Sequence, residues 1–172
     1  MSMRTFEING NLSRPRGLGS KYRIFRRVVV GIRNYYIQHF GQEFMNSIDL
    51  YVDNATSDSG NTPNITPVLG KYLTIKLNIT QRYDAARIAF QFAHELMHFV
   101  FYVKYGINKS HADEKEEEIC SAAALIIVHK FYPADFNECN KYVKSLQRPD
   151  YRKGAEIAEQ LNYQFEELIK LL

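Results

Sequence analysis

The 172-residue sequence predicts a single α+β domain, with a small sheet packed on helices and additional helices towards the C-terminus. Two observations predict it. Residues 72–79, YLTIKLNI, alternate strictly: Leu73, Ile75, Leu77 and Ile79 share one face, and Thr74, Lys76 and Asn78 the other. That period of two is the pattern of a half-buried strand. Residues 88–103 are apolar almost throughout, and the segments after them repeat their apolar residues at helical spacing.

The elements follow in order. Residues 4–8, RTFEI, read as a short strand, and 9–20, NGNLSRPRGLGS, as a loop rich in Asn, Gly, Pro and Ser. A helix is expected from about Lys21 to His39, with Phe25, Val28, Val29, Ile32, Tyr35 and Tyr36 on its inner face and Gly41 as its stop. Residues 47–52, SIDLYV, alternate and lead into a polar loop at 53–64. The strand at 72–79 comes next. A long helix follows, capped by Thr80 or Asp84 and ending near Gly106. After a polar loop, a helix over about 115–131 carries Ile119, Cys120, Ala123, Ala124, Ile127 and Val128 on one face, and Pro133 ends it. Two further helices, about 134–146 and 151–171, close the chain. The last would bury a stripe of Ile157, Leu161, Phe165, Leu168 and Leu172.

Composition narrows the function classes. The net charge of +3 is too small to demand a nucleic-acid partner. The basic run Arg14, Arg16, Lys21, Arg23, Arg26 and Arg27 reads as a solvated loop and helix face. Two cysteines, Cys120 and Cys139, are too few for a disulfide scaffold or an all-cysteine zinc site, and point to a reducing compartment. The first ten residues lack the apolar core of a signal peptide. The longest apolar region is too short, and too polar inside, to span a bilayer. The expectation is therefore a cytoplasmic protein with no membrane partner.

The chemistry lies in FAHELMHF, which holds His94, Glu95 and His98 in an H-E-x-x-H pattern. On a helix, positions i and i+4 lie one turn apart on the same face, so both imidazoles can reach one ion. Glu95, one step round from His94, would flank that ion and accept a proton from water. Burying two imidazoles and a carboxylate without partners would cost several kcal/mol, and a divalent cation supplies the partner. Catalytic zinc takes three protein ligands and keeps one open position. The third ligand is expected from the acidic start of the next helix. Helical phase turns both Glu116 and Glu117 towards the face marked by Cys120, Ala123 and Ala124, and Glu118 away from it.

The stretch from 72 to 129 resembles the ImmA/IrrE group of gluzincin metallopeptidases. Arg87, Ala93, His94, Glu95, Leu96 and His98 follow that group's first block, and EEEICSAAALIIVH (116–129) follows its second. Met97 stands where the group often has Gly, and Cys120 where it often has Asn or Asp. The resemblance implies a compact zincin-like fold with the strand at 72–79 as the edge of the active-site cleft. It implies a Zn2+ cofactor held by His94, His98 and Glu116, with Glu95 as catalytic base. It also implies hydrolysis of peptide bonds in a protein or peptide substrate, often a regulatory protein. A metal-stabilised binding module without catalysis is the alternative. The oxyanion of peptide hydrolysis needs a second electrophile, and Tyr102, His111, His129 and Tyr132 are the candidates. Cys120 reads as a small buried hydrophobe.

Overall fold

A computed structural model of the chain describes residues 6–7, 21–54, 63–79 and 84–172. Thr80, Arg14, Arg16, the loop at 9–20 and most of the loop at 53–64 lie outside them. The fold is α+β and mostly helical, as the patterning predicts. In chain order its elements are β1 (Phe6–Glu7), α1 (Tyr22–Phe40), α2 (Gln42–Met45), β2 (Asp49–Asn54), β3 (Asn64–Val68), β4 (Tyr72–Leu77), α3 (Ala85–Tyr105), α4 (Glu114–Phe131), α5 (Pro133–Ser145), α6 (Pro149–Gln160) and α7 (Phe165–Ile169).

The sheet runs in the order β1-β2-β4-β3. β2 and β4 are parallel neighbours, with Leu50 opposite Leu73 and Val52 opposite Ile75. β3 folds back antiparallel on the far side of β4 through a turn at Leu69 and Gly70, both at positive φ. This corrects the expected cleft edge: β4 is an inner strand, and β3 ends the sheet. The sequence hid β3 because three of its five residues are exposed and it carries Pro67. A proline lacks the N–H a ladder needs and is tolerated on an edge strand.

Leu50, Val52, Leu73, Ile75 and Leu77 are buried on one sheet face and join the main apolar cluster with α1, α3 and α4. Three polar clamps fix β4 and α3. The Asn54 amide accepts from the Ile79 backbone N at 2.8 Å and donates to the Ile79 carbonyl at 3.3 Å, which extends the ladder beyond β4. Gln91 does the same to residue 78: its Oε1 accepts from Asn78 N at 2.8 Å and its Nε2 donates to Asn78 O at 3.2 Å. From the other side, the buried Tyr36 hydroxyl donates to the Ala93 carbonyl at 2.8 Å. Each backbone group so paired avoids a desolvation cost of about 1–3 kcal/mol. Two of the clamps bear on α3 within one turn of His94. Asp84 caps α3 by accepting from Arg87 N at 2.6 Å, as expected of one of its two candidate caps.

The C-terminal segment differs from the single long helix the periodicity predicts. It breaks at Asn162 and Tyr163, both left-handed with φ near 50–55°, and the Tyr163 N–H turns back to the Ala158 carbonyl at 2.9 Å. Aromatic packing is the physical reason. The break lays Tyr163 flat on His129 at 4.2 Å between ring centroids. It also brings Phe165 against Tyr35, Tyr36 and His39 at 5.0–5.2 Å.

Candidate metal centre

Helices α3 and α4 lie side by side, and the centre forms where the middle of one meets the start of the other. Asp113 begins α4 by accepting from Glu116 N at 2.8 Å, and this fixes the first-turn acids against α3. His94, Glu95, His98 and Glu116 are all buried, at 5–7% exposure. Tyr36, Ala93 and Gln91 hold the α3 side of the arrangement as described above.

The structure brings His94, His98 and Glu117 together: one donor atom of each lies within 4.8 Å of the other two. His98 Nε2 is 2.6 Å and His94 Nε2 3.8 Å from the same oxygen of Glu117. Glu116, the acid that the family resemblance selects, sits instead on the opposite edge of the His98 ring. Its Oε2 accepts from His98 Nδ1 at 2.6 Å. Neighbouring positions on a helix point about 100° apart, so the two adjacent acids straddle one imidazole, and Glu117 is the one on the Nε2 side shared with His94. Lys109, from the α3–α4 loop, completes the Glu116 environment, with Nζ 3.0 and 3.2 Å from its two oxygens. The same ammonium lies 4.4 Å from the Tyr102 ring centroid.

The electrostatics follow from these contacts. Burial alone would lower the His98 imidazole. Its contacts with Cys120, Glu116 and Glu117 outweigh burial and raise it well above the ordinary histidine range. Burial alone would raise Glu117, yet its hydrogen bonds with His94 and His98 hold it well below the usual carboxylate range. Glu95 moves the other way. Burial raises it, His94 and His98 pull it down, and Glu117 adds to the rise. Burial also pushes the Cys120 thiol up to about 12. Cys120, Glu116 and the far side of His98 form a second close group of potential ligand atoms, within 4.8 Å of one another.

The donor set fits a divalent ion. In a tetrahedral zinc site with bonds of about 2.1 Å, donor atoms lie roughly 3.4 Å apart. The contacts of 2.6 and 3.8 Å to Glu117 bracket that spacing. Charge fits as well. When ionised, Glu95, Glu116 and Glu117 supply three negative charges, and Lys109 pairs with one of them, Glu116; such an acid-rich donor set suits a cation.

The centre opens on a cleft of about 300 Å³. His94, Glu95, His98, Glu116 and Glu117 line it together with Asn64 and Ile65 of β3, Phe90, Tyr102, Lys109, His111, Arg148 and Tyr151. Of the four oxyanion candidates, Tyr102 and His111 line the cleft. His129 and Tyr132 do not. They end α4, and at 1.5 Å per residue the distance from Glu117 is roughly 20 Å. His129 packs on Tyr163 and Phe136 instead.

Sequence reasoning missed Arg148 and Tyr151, which come from the first turn of α6, more than fifty residues beyond His94. It missed Lys109 as well, whose setting in a polar loop gives no sign of burial. The visible signal for the α6 pair was Pro149 at a helix start, which marks an element and not a site. No described helix is long and apolar enough to cross a membrane. Comparison with protein-family models, with curated proteins and with solved structures finds no match to this chain.

Proposed function

We propose that the chain is a zinc-dependent peptidase of zincin-like fold, similar in kind to the ImmA/IrrE group. In this reading His94, His98 and Glu117 hold the metal and Glu95 is the catalytic base. The observation that carries the reading is the convergence of His94 Nε2, His98 Nε2 and Glu117 at the floor of an open cleft, with Glu95 buried beside them. Relative to the sequence-based expectation, Glu116 exchanges roles with Glu117. Hydrogen-bonded to Nδ1, it orients the His98 ring and fixes the proton on that nitrogen. Lys109 holds Glu116 in place.

A bound zinc ion supplies Lewis acidity towards a substrate carbonyl and a water molecule. Glu95 accepts the proton of the attacking water and returns it to the leaving amine. Its raised affinity for protons, set by burial, suits it to both steps. β3 lines the cleft through Asn64 and Ile65 and is the end strand of the sheet, so a peptide can add to it as a further strand and run past the metal ligands. A peptide is the substrate class that matches a strand at the end of the described sheet.

The test uses the full chain loaded with zinc, with metal content and peptide hydrolysis measured for the wild type and for Glu95→Gln. Equal zinc in both, with hydrolysis reduced at least about a hundredfold in the variant, is expected. A wild type that binds zinc and cleaves nothing, or a variant as active as the wild type, refutes the catalytic role.

A further inference from the structure

Tyr151 is the aromatic residue of the cleft that has no role so far. It stands on the first turn of α6, and three features hold it against His94. Its ring centroid is 5.8 Å from that of His94 and 6.4 Å from that of Phe90. The Arg148 guanidinium carbon lies 4.5 Å from the ring centroid on its own helix. One turn further along α6, Gly154 meets α4 so closely that an added Cβ would stand 2.5 Å from Ser121 Cβ, so the helix has no room to slide inward.

From this geometry we propose that Tyr151 is a catalytic residue, its phenol donating a hydrogen bond to the oxyanion that forms on the scissile carbonyl. The proposal rests on the peptidase reading of the centre. The steps balance without further reagents. Water oxygen bonds to the carbonyl carbon as the C=O π pair moves to oxygen, and Glu95 takes the water's proton. The C–N bond then breaks and the same proton goes to nitrogen. Tyr151 keeps its own proton throughout and stabilises only the charge.

The other aromatic and imidazole groups of the cleft are less suited. Tyr102 is 8% exposed and has Lys109 against its ring. His111 is exposed on the α3–α4 loop. Tyr151 lines the same cleft as Glu95 and Glu117, and a tyrosine phenol is ordinarily protonated, and so a hydrogen-bond donor, at neutral pH. A hydrogen-bond donor standing beside the place where negative charge develops is the arrangement that favours a transition state over a ground state.

The experiment compares zinc-loaded wild type with Tyr151→Phe, which removes one hydroxyl and keeps the packing. Hydrolysis of a quenched-fluorescence peptide mixture is measured alongside zinc content and the binding of a phosphinic pseudopeptide and of a plain product peptide. The expected result is a kcat about 10²-fold lower, a KM within about threefold and equal zinc. Phosphinate binding should weaken in step with kcat, and product binding should not change. Arg148→Met, which leaves the phenol but removes its cation, should lower kcat by a smaller factor in the same pattern. An active wild type matched by Tyr151→Phe overturns the assignment and leaves the peptidase reading intact, as does equal weakening of phosphinate and product. A zinc-loaded wild type that cleaves nothing overturns both.

Discussion

Replacing Gly154 by alanine asks how firmly α6 is docked, and the structure supplies the magnitude. The new Cβ would lie 2.5 Å from Ser121 Cβ, 2.9 Å from the Glu118 carbonyl oxygen and 3.0 Å from the Ala122 nitrogen. Carbon atoms rest at about 3.5–4.0 Å, so the helices must separate by roughly 1 Å at their crossing. Two of the three atoms are backbone and cannot rotate away. Overpacking of this kind costs about 1–3 kcal/mol, and the better helix propensity of alanine returns up to about 1 kcal/mol. The net loss should be roughly 1–2 kcal/mol, a fall in Tm of about 2–8 °C for a chain of this size. Gly31→Ala is the control. It is the same chemical change inside α1, exposed and with nothing within 4 Å of the added carbon, so it should raise Tm by about 2–4 °C. Adding Ser121→Gly to Gly154→Ala removes the nearest contact and should recover part of the loss. Calorimetry on the four proteins decides. A Gly154→Ala protein at least as stable as the wild type, or one that changes in the same direction as Gly31→Ala, refutes the account of the α4–α6 crossing.

The two adjacent acids should separate by assay. Glu117→Gln removes a proposed ligand and should abolish stoichiometric zinc binding at micromolar ion. Glu116→Gln removes only the orienting contact and should weaken zinc affinity by about 10–100-fold, read by chelator competition. Equal effects, or the reverse order, would return the ligand role to Glu116. Lys109→Met should lower stability, because it leaves the Glu116 carboxylate, 7% exposed, with one partner fewer. Urea denaturation measures this, and an unchanged midpoint would count against the ion pair. Cys139 offers a pH test. Burial, followed by Asp84 and Asp135 and opposed by Arg87, pushes its thiol up to about 11 from an ordinary 9.0. Because the folded value is raised, folding favours the neutral thiol. That contribution is complete below about pH 9 and is lost as pH climbs towards 11. Maleimide labelling of folded Cys120→Ala protein should therefore accelerate with a midpoint near 11, and a midpoint near 9 would refute the shift.

The parts of the fold that were legible in the sequence are those whose own residues carry the pattern. α1 shows its buried stripe from Phe25 to Tyr36, and β4 its alternation. α3 declares itself by being apolar on every side, and the His94, Glu95, His98 spacing needs only one helical turn to be meaningful. What failed depends on partners remote in sequence. β3 is held by β4 and has little apolar content of its own. The break after α6 obeys His129 and the Tyr35–Tyr36–His39 cluster, not the Leu161–Phe165 spacing. Tyr151 reaches the cleft because α6 packs on α4 through Gly154, and nothing near Tyr151 in the sequence encodes that crossing.

The choice between Glu116 and Glu117 shows where helical phase runs out. Phase says which side of a helix faces its neighbour, and both acids pass that test because the facing side is wide enough for two adjacent positions. What separates them is smaller than a helix face. It is the width of one imidazole, with Glu117 2.6 Å from Nε2 and Glu116 2.6 Å from Nδ1. A ring gripped at both nitrogens by acids has few stable states. Contacts with Cys120, Glu116 and Glu117 together raise its affinity for protons despite burial. In the proposed reading an ion at Nε2 would take the place of a proton there and leave the Nδ1 hydrogen bond in place. The same geometry that stabilises the protonated ring would then make the proton a direct competitor of that ion. It also ties the fixed orientation of His98 to Lys109, the residue that keeps Glu116 from leaving its side of the ring.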